Sequence, residues 1–178
     1  ELTGLDNRKP FEEAFRRLSR SDRAAPRRPR GEVAIVDIDH FKRVNDTFGH
    51  VYGDEVLVLV SAMLKRSFRE RDRVFRFGGE EFAILLADLT PQQAERALER
   101  FRDSVESARF PQVGQVTVSI GVTTIVAHET GLEAFGRADE ALYMAKNDGR
   151  NRLLRYETLL AEGRIFKKPK HVEKIELF

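Results

Sequence analysis

Apolar residues along this chain follow two rhythms, a helical one and short unbroken runs. Phe11, Phe15 and Leu18 repeat at helical spacing after Pro10, a good first-turn residue, and predict an opening helix. Val33–Ile38 (VAIVDI) is apolar and β-branched and predicts a buried central strand ending on Asp37 and Asp39. A short helix is expected over Phe41–Phe48, broken by Gly49 and Gly53. The clearest helix covers 54–68, with Val56, Leu57, Val60, Met63 and Leu64 on one face and Asp54 as its N-cap. Residues 73–86 predict a hairpin around a tight Gly78-Gly79 turn. Thr90-Pro91 opens a helix striped by Ala94, Ala97, Leu98, Phe101 and Val105. Val116–Val126 alternates like a strand, and Gly121 within it marks a bulge or a close backbone approach. Phe135, Ala138, Leu142 and Ala145 define a last core helix that Gly149 stops, before a short strand at 153–156.

The order is a helix followed by β-α-α-β-β-α-β-α-β. A hairpin combined with helical crossovers predicts an α/β (α+β) domain with one mixed sheet and helices packed on it. Residues 19–31, rich in arginine and proline, read as a loop, and 157–178 as a charged tail with Lys167, Lys168, Lys170 and Lys174. The expected organisation is one domain over 1–156 plus that C-terminal extension.

Composition narrows the function. Of the 178 residues, 34% are charged, yet 31 Lys and Arg against 29 Asp and Glu leave a net charge of only +2, which argues against a general polyanion binder. The absence of cysteine excludes disulfides, thiolate metal sites and a cysteine nucleophile. No apolar run approaches the roughly 20 residues of a membrane span. The first ten residues lack a signal-peptide core. They also lack an initiator Met, so the chain reads as a piece of a longer one.

Five groupings have chemical content. Asp37 and Asp39 at a strand end suit a hard divalent cation, which takes one or two carboxylates and otherwise water and phosphate oxygen; solvation of the strand end explains them equally well. Gly78-Gly79-Glu80-Glu81 lets a ligand approach the backbone and sends adjacent acids to opposite faces, although an ordinary hairpin with solvated acids has the same sequence. Asn45 and Asp54 together match the hydrogen-bonding edge of guanine, while singly they are a turn residue and an N-cap. Lys42, Lys146 and Arg150 are cations of the kind a triphosphate needs, or plain surface charges. Arg69-Glu70-Arg71-Asp72 offers an arginine fork for guanine, or a salt-bridged turn.

Order and spacing decide between these readings. The stretches LTGLDNR (2–8), DIDHFKRVNDTFGHVYGDEVL (37–57), RERDRVFRFGGEEF (69–82), VSIGV (118–122) and ADEALYMAKNDGRNR (138–152) together resemble a GGDEF domain, the catalytic domain of diguanylate cyclases, in its GGEEF form. The resemblance covers roughly residues 2–155. It implies a ferredoxin-like core related to nucleotidyl cyclases. It also implies a reaction, the condensation of two GTP into cyclic di-GMP with loss of two pyrophosphates.

In family terms, Asp37 and Glu80 would hold two Mg²⁺ with the Ile38 carbonyl, Mn²⁺ being the alternative metal. Asn45 and Asp54 would read guanine. Lys42, Lys146, Arg150 and main-chain amides around Phe41 would hold phosphates beside Gly79. Glu81 would lie near the ribose, and the acceptor of the 3′-hydroxyl proton is Glu80, Glu81 or water. Arg69 and Asp72 match the RxxD inhibitory product site, with Arg100 as a secondary arginine. Each domain offers one GTP site, so activity implies a two-fold dimer, a sensor elsewhere in the parent chain and a cytoplasmic setting, with no nucleic-acid or membrane partner. The alternative is a catalytically silent GGDEF module that senses GTP or cyclic di-GMP. Degenerate members usually lose the signature glutamates, the metal aspartate or the guanine contacts, and here Asp37, Glu80, Glu81, Asn45 and Asp54 are all present.

Overall fold

A computed structural model describes residues 2–20 and 31–166. Helix α1 (Lys9–Arg20) precedes strand β1 (Gly31–Ile38), the helices α2 (Phe41–Phe48) and α3 (His50–Ser67), and the hairpin β2 (Arg73–Gly78) and β3 (Glu81–Ala87). Then follow α4 (Pro91–Ser107), β4 (Val118–Thr124), α5 (Gly131–Asn147), β5 (Leu153–Arg155) and α6 (Tyr156–Ala161). The sheet has the order β2-β3-β1-β4-β5. Every pairing is antiparallel except β4 with β5, which gives the mixed, mainly antiparallel sheet expected from the chain.

Helices cover both faces. Ala34, Val36 and Ile38 pack with α2, α3 and α4, whereas Val33 and Ile35 pack with α1 and α5. All eight residues of β1 are therefore buried, and β4, which reads as alternating, is buried on both sides too. Gly121 is the close approach foreshadowed by the sequence. A Cβ there would lie 2.0 Å from the Ala138 carbonyl oxygen and 2.3 Å from the Leu142 nitrogen. Helix α5 thus rests directly on β4, and one turn past Leu142 it delivers Lys146 to the end of β1.

Three local expectations are corrected. Helix α3 starts at His50 with Gly49 as its N-cap, so Asp54 stands inside the helix and caps nothing. Gly53 breaks no helix; it is buried in α3. The hairpin turn is Gly79-Glu80, because Gly78 still pairs with Glu81. Thr90 does cap α4, in a reciprocal capping box with Gln93.

Beyond β5, Tyr156, Leu159 and Ile165 bury themselves with Ala141 of α5. At the end of the sheet where β1 begins, Arg155 pairs with fully buried Glu32 at 2.8 Å, with Glu157 at 3.2 Å and with Glu95. The segment expected as an Arg/Pro loop lies mostly in 21–30, and the lysines of the tail lie in 167–178, both outside the described residues. Among the described residues no helix is long and apolar enough to cross a membrane.

Candidate functional site

The site is built where β1 ends. Asp37 is directly opposite Glu81 of β3, so the two side chains share the sheet face that α5 covers. Lys146 reaches this corner and pairs with Asp37, Nζ to Oδ2 2.8 Å. Burial pushes the Asp37 carboxyl up to about 6; Lys146 opposes the rise, and the charges of Glu80 and Glu81 add to it. Burial also raises Glu81, against the pull of Lys146 and with the added push of Asp139 and Glu80. Lys146, expected among the phosphate-holding cations, thus stands among the acids.

Glu80 occupies the hairpin tip. Gly79 beside it has φ 45°, and no atom lies within 4 Å of where its Cβ or that of Gly78 would be, so ligand can approach the main chain there. Arg76 fixes the tip by donating to the Gly79 carbonyl from Nε (3.1 Å) and Nη2 (2.8 Å). Backbone pairing continues this bracing, with the Ile38 N–H on the Glu80 carbonyl at 3.3 Å.

Asp39 does not join the acidic corner. Its carboxylate is buried and accepts from Thr117 Oγ1 (2.7 Å), Ser119 Oγ (2.7 Å) and the Asn151 N–H (3.0 Å). Three of its roughly four acceptor sites are thus committed to the fold. Asp39 ties the end of β1 to β4 and to the turn carrying Arg150.

Asn45 of α2 meets α3 at Gly53, one residue before Asp54. Asn45 lies over Gly53, and a Cβ on Gly53 would fall 1.9 Å from Asn45 Oδ1 and 3.3 Å from the Phe41 ring. Asp54, the next residue along α3, is exposed. Phe41 is buried as an anchor of α2, while Lys42 is exposed beside it. Residue 40, with φ 56°, makes the sharp entry into α2.

Arg69 and Asp72 also come together. Asp72 Oδ2 accepts from the Arg69 N–H at 3.0 Å and Oδ1 from the Ala87 N–H at 3.2 Å, so this carboxylate braces its own turn against β3. The turn borders a surface cleft of about 470 Å³ between the 4–6 segment, the end of α3 and β2. Arg100 is exposed on α4. Sequence reasoning missed Gly53, Arg76, Asp39 and Asn151 as supports of the site. Of these only Asp39 and Gly53 drew notice, the first as a metal ligand and the second as a helix breaker.

Among the described residues no group of three or more His, Asp or Glu is arranged to hold a metal unaided. Mg²⁺ does not require one, since it commonly takes one or two carboxylates and completes its shell with water and substrate phosphate. Asp37 and Glu80 bring hard oxygen donors of like charge close enough to raise Asp37, and a divalent cation relieves that repulsion. The donor set fits.

A family model described as "Diguanylate cyclase, GGDEF domain" matches residues 1–152. The chain is 42% identical over 159 residues to diguanylate cyclase DgcP of Pseudomonas aeruginosa, covering 85% of this chain and 23% of that protein. It is 40% identical over 161 residues to the probable diguanylate cyclase DgcT of Escherichia coli, covering 86% of this chain and 34% of that protein. It therefore spans about a quarter to a third of these curated relatives. The solved GGDEF domain of DgcB from Caulobacter crescentus, in complex with c-di-GMP, superposes with a TM-score of 0.80 at 35% identity, over 88% of this chain and 92% of that one. The active GGEEF domain of a Vibrio cholerae diguanylate cyclase superposes with a TM-score of 0.75 at 32% identity, over 85% and 97%. From its signature hairpin to its sheet order, the chain belongs to the GGDEF domain family of diguanylate cyclases.

Proposed function

We propose that this domain condenses two GTP into cyclic di-GMP and two pyrophosphates, as a two-fold dimer in which each 3′-hydroxyl attacks the α-phosphate held by the partner. The observation that carries the reading is the corner where Asp37, Glu81 and Lys146 converge beneath the open hairpin tip of Glu80. Asp37 and Glu80, with the Ile38 carbonyl, would hold Mg²⁺, which when bound supplies charge neutralisation at the phosphates and acidifies the attacking hydroxyl. Asn45 accepts and donates at the guanine edge beside the Asp54 carboxylate, which suits guanine's donors and not adenine's acceptor. Lys42, Arg150 and the amides around Phe41 hold phosphates at the start of α2, and Lys146 shares its charge between them and Asp37. Glu81, raised by burial, sits where a proton from the ribose hydroxyl can be taken, either directly or through water. Transfer of this kind depends on in-line positioning and electrostatics more than on covalent chemistry.

Control follows the same lines. A cyclic di-GMP molecule at Arg69, Asp72 and Arg100 would inhibit. The far greater length of the relatives supports a regulatory region elsewhere in the parent protein, and a domain that consumes GTP belongs in the cytoplasm. Incubation of concentrated domain with GTP and Mg²⁺ tests the activity directly, and cyclic di-GMP is the expected product. An enforced dimer that makes none overturns the reading and leaves a silent nucleotide-binding module. Glu80→Ala is expected to abolish turnover, and retained activity removes Glu80 from the metal site.

A further inference from the structure

Arg150 and Asn151 are consecutive residues other than glycine with positive φ, 64° and 46°. Such a pair is disfavoured and persists where its surroundings over-determine it. The Arg150 N–H bonds the Ala145 carbonyl at 3.0 Å, closing α5. Asn151 is then gripped from two directions. Its N–H donates to Asp39, as described. Its side chain turns the other way, towards α4: Oδ1 accepts from Arg102 Nη1 at 2.7 Å, and Nδ2 donates to Glu106 Oε1 at 2.8 Å. A flipped amide would aim its NH₂ at the guanidinium and its oxygen at the carboxylate, so the chemistry allows one orientation only.

The grip is itself rigid. Arg102 is largely buried, its Nε bonds Glu99 at 2.8 Å, its Nη1 bonds Glu106 at 2.8 Å, and its Nη2 pairs with Asp103. Arg102 and the Asn151 amide together hold the Glu106 carboxyl below its ordinary value. None of these α4 residues belongs to the acidic corner or the guanine pair.

We propose that Asn151 is a positioning residue for substrate phosphate: clamped by Arg102 and Glu106, it locks the left-handed turn from which Arg150 projects. This rests on the reading of Arg150 as a phosphate-binding group. The clamp thereby makes α4 part of the GTP site although α4 contributes no ligand to it.

Asn151→Asp tests the inference. It keeps the shape, the tolerance for positive φ and the contact with Arg102, but sets an acceptor against Glu106. Loss of a hydrogen bond to a charged partner predicts about a tenfold loss of GTP affinity by calorimetry with Mg²⁺ present, with KM rising more than kcat falls. Adding Glu106→Gln to Asn151→Asp restores a donor to the pair and is expected to recover the affinity. On an Arg150→Ala background, Asn151→Asp is expected to add nothing further. Unchanged affinity in Asn151→Asp, no rescue by Glu106→Gln, or an equal loss on the Arg150→Ala background overturns the inference. If Asn151→Asp does not fold, Glu106→Ala reads the same clamp, with an affinity loss of a few-fold expected and no change overturning it. Wild-type protein that binds no GTP overturns both this inference and the proposed function, whereas wild-type that binds GTP beside an unaffected Asn151→Asp overturns this one alone.

Discussion

The Asp39 carboxylate accepts the backbone N–H of Asn151 at 3.0 Å, 112 positions along the chain, and so ties the end of β1 to the turn after α5. Thr117 and Ser119 complete its hydrogen bonds. A buried charge with three donors is stable only while all three remain aimed at it. Asp39→Ala strands those donors and is expected to cost about 2–4 kcal/mol, a fall of roughly 5–12 °C in Tm for a domain of this size. GTP affinity should fall in the same variant, because the turn carrying Arg150 loses its anchor. Thermal denaturation beside a GTP titration checks both, and an unaltered Tm would show that the hydrogen bonds do not hold the turn.

The contact between Asn45 and Gly53 predicts a separation of stability from specificity. Alanine is favoured over glycine in a helix by about 1 kcal/mol. At position 53, however, the new methyl would meet Asn45 Oδ1 at 1.9 Å and push that side chain aside. Gly53→Ala is therefore expected to shift Tm by only a few degrees in either direction, because the helix gain offsets the steric cost. KM for GTP should rise by about tenfold or more, with the preference over ATP reduced. Steady-state kinetics with both nucleotides decides it, and unchanged selectivity would remove Asn45 from the guanine site.

Much of this was legible in the chain because its periodicities are local. The boundaries of α2 fell where the glycine and apolar spacing placed them, and Gly121 announced the contact of α5 with β4. Asp39 and Asp37 are chemically identical and two residues apart, and nothing local distinguishes them. The difference arises because Thr117, Ser119 and Asn151 surround one, while Lys146 and the hairpin acids surround the other. Gly53 read as a breaker because helix propensity is counted within a segment, whereas its burial comes from α2 crossing α3. Residues 157–165 read as tail, and Tyr156 as the end of a short strand, because their few apolar groups lack a partner in sequence; the partner is Ala141, on α5.

That packing carries its own prediction. Leu159 is fully buried against α5, and Leu159→Ala should cost about 2–4 kcal/mol. A chain ended after Arg155 should lose at least as much, since it also removes Ile165 and the Glu157 partner of Arg155. Urea unfolding measures both. A truncated chain as stable as the full one would mean that α6 is an appendage and not part of the core.

Asp37 should make the metal-free domain less stable at neutral pH than at acid pH. Its carboxyl is raised from 3.8 to about 6, chiefly by burial, so the folded chain keeps this proton to higher pH than the unfolded chain does. Stability from this group is therefore fully present below about pH 4 and falls as pH rises to about 6. Above that the ionised, buried carboxylate carries a constant cost of at most about 3 kcal/mol. Asp37→Asn removes that titration. Without metal, the variant should have the higher Tm at pH 7.5, and its advantage should shrink steadily towards pH 4, although its catalytic activity is lost. Thermal melts of both chains across this range, with chelator present, provide the measurement. A difference in Tm that stays constant with pH would mean that Lys146 fully compensates the charge of Asp37, and that the corner is held together by the ion pair without need of a divalent cation.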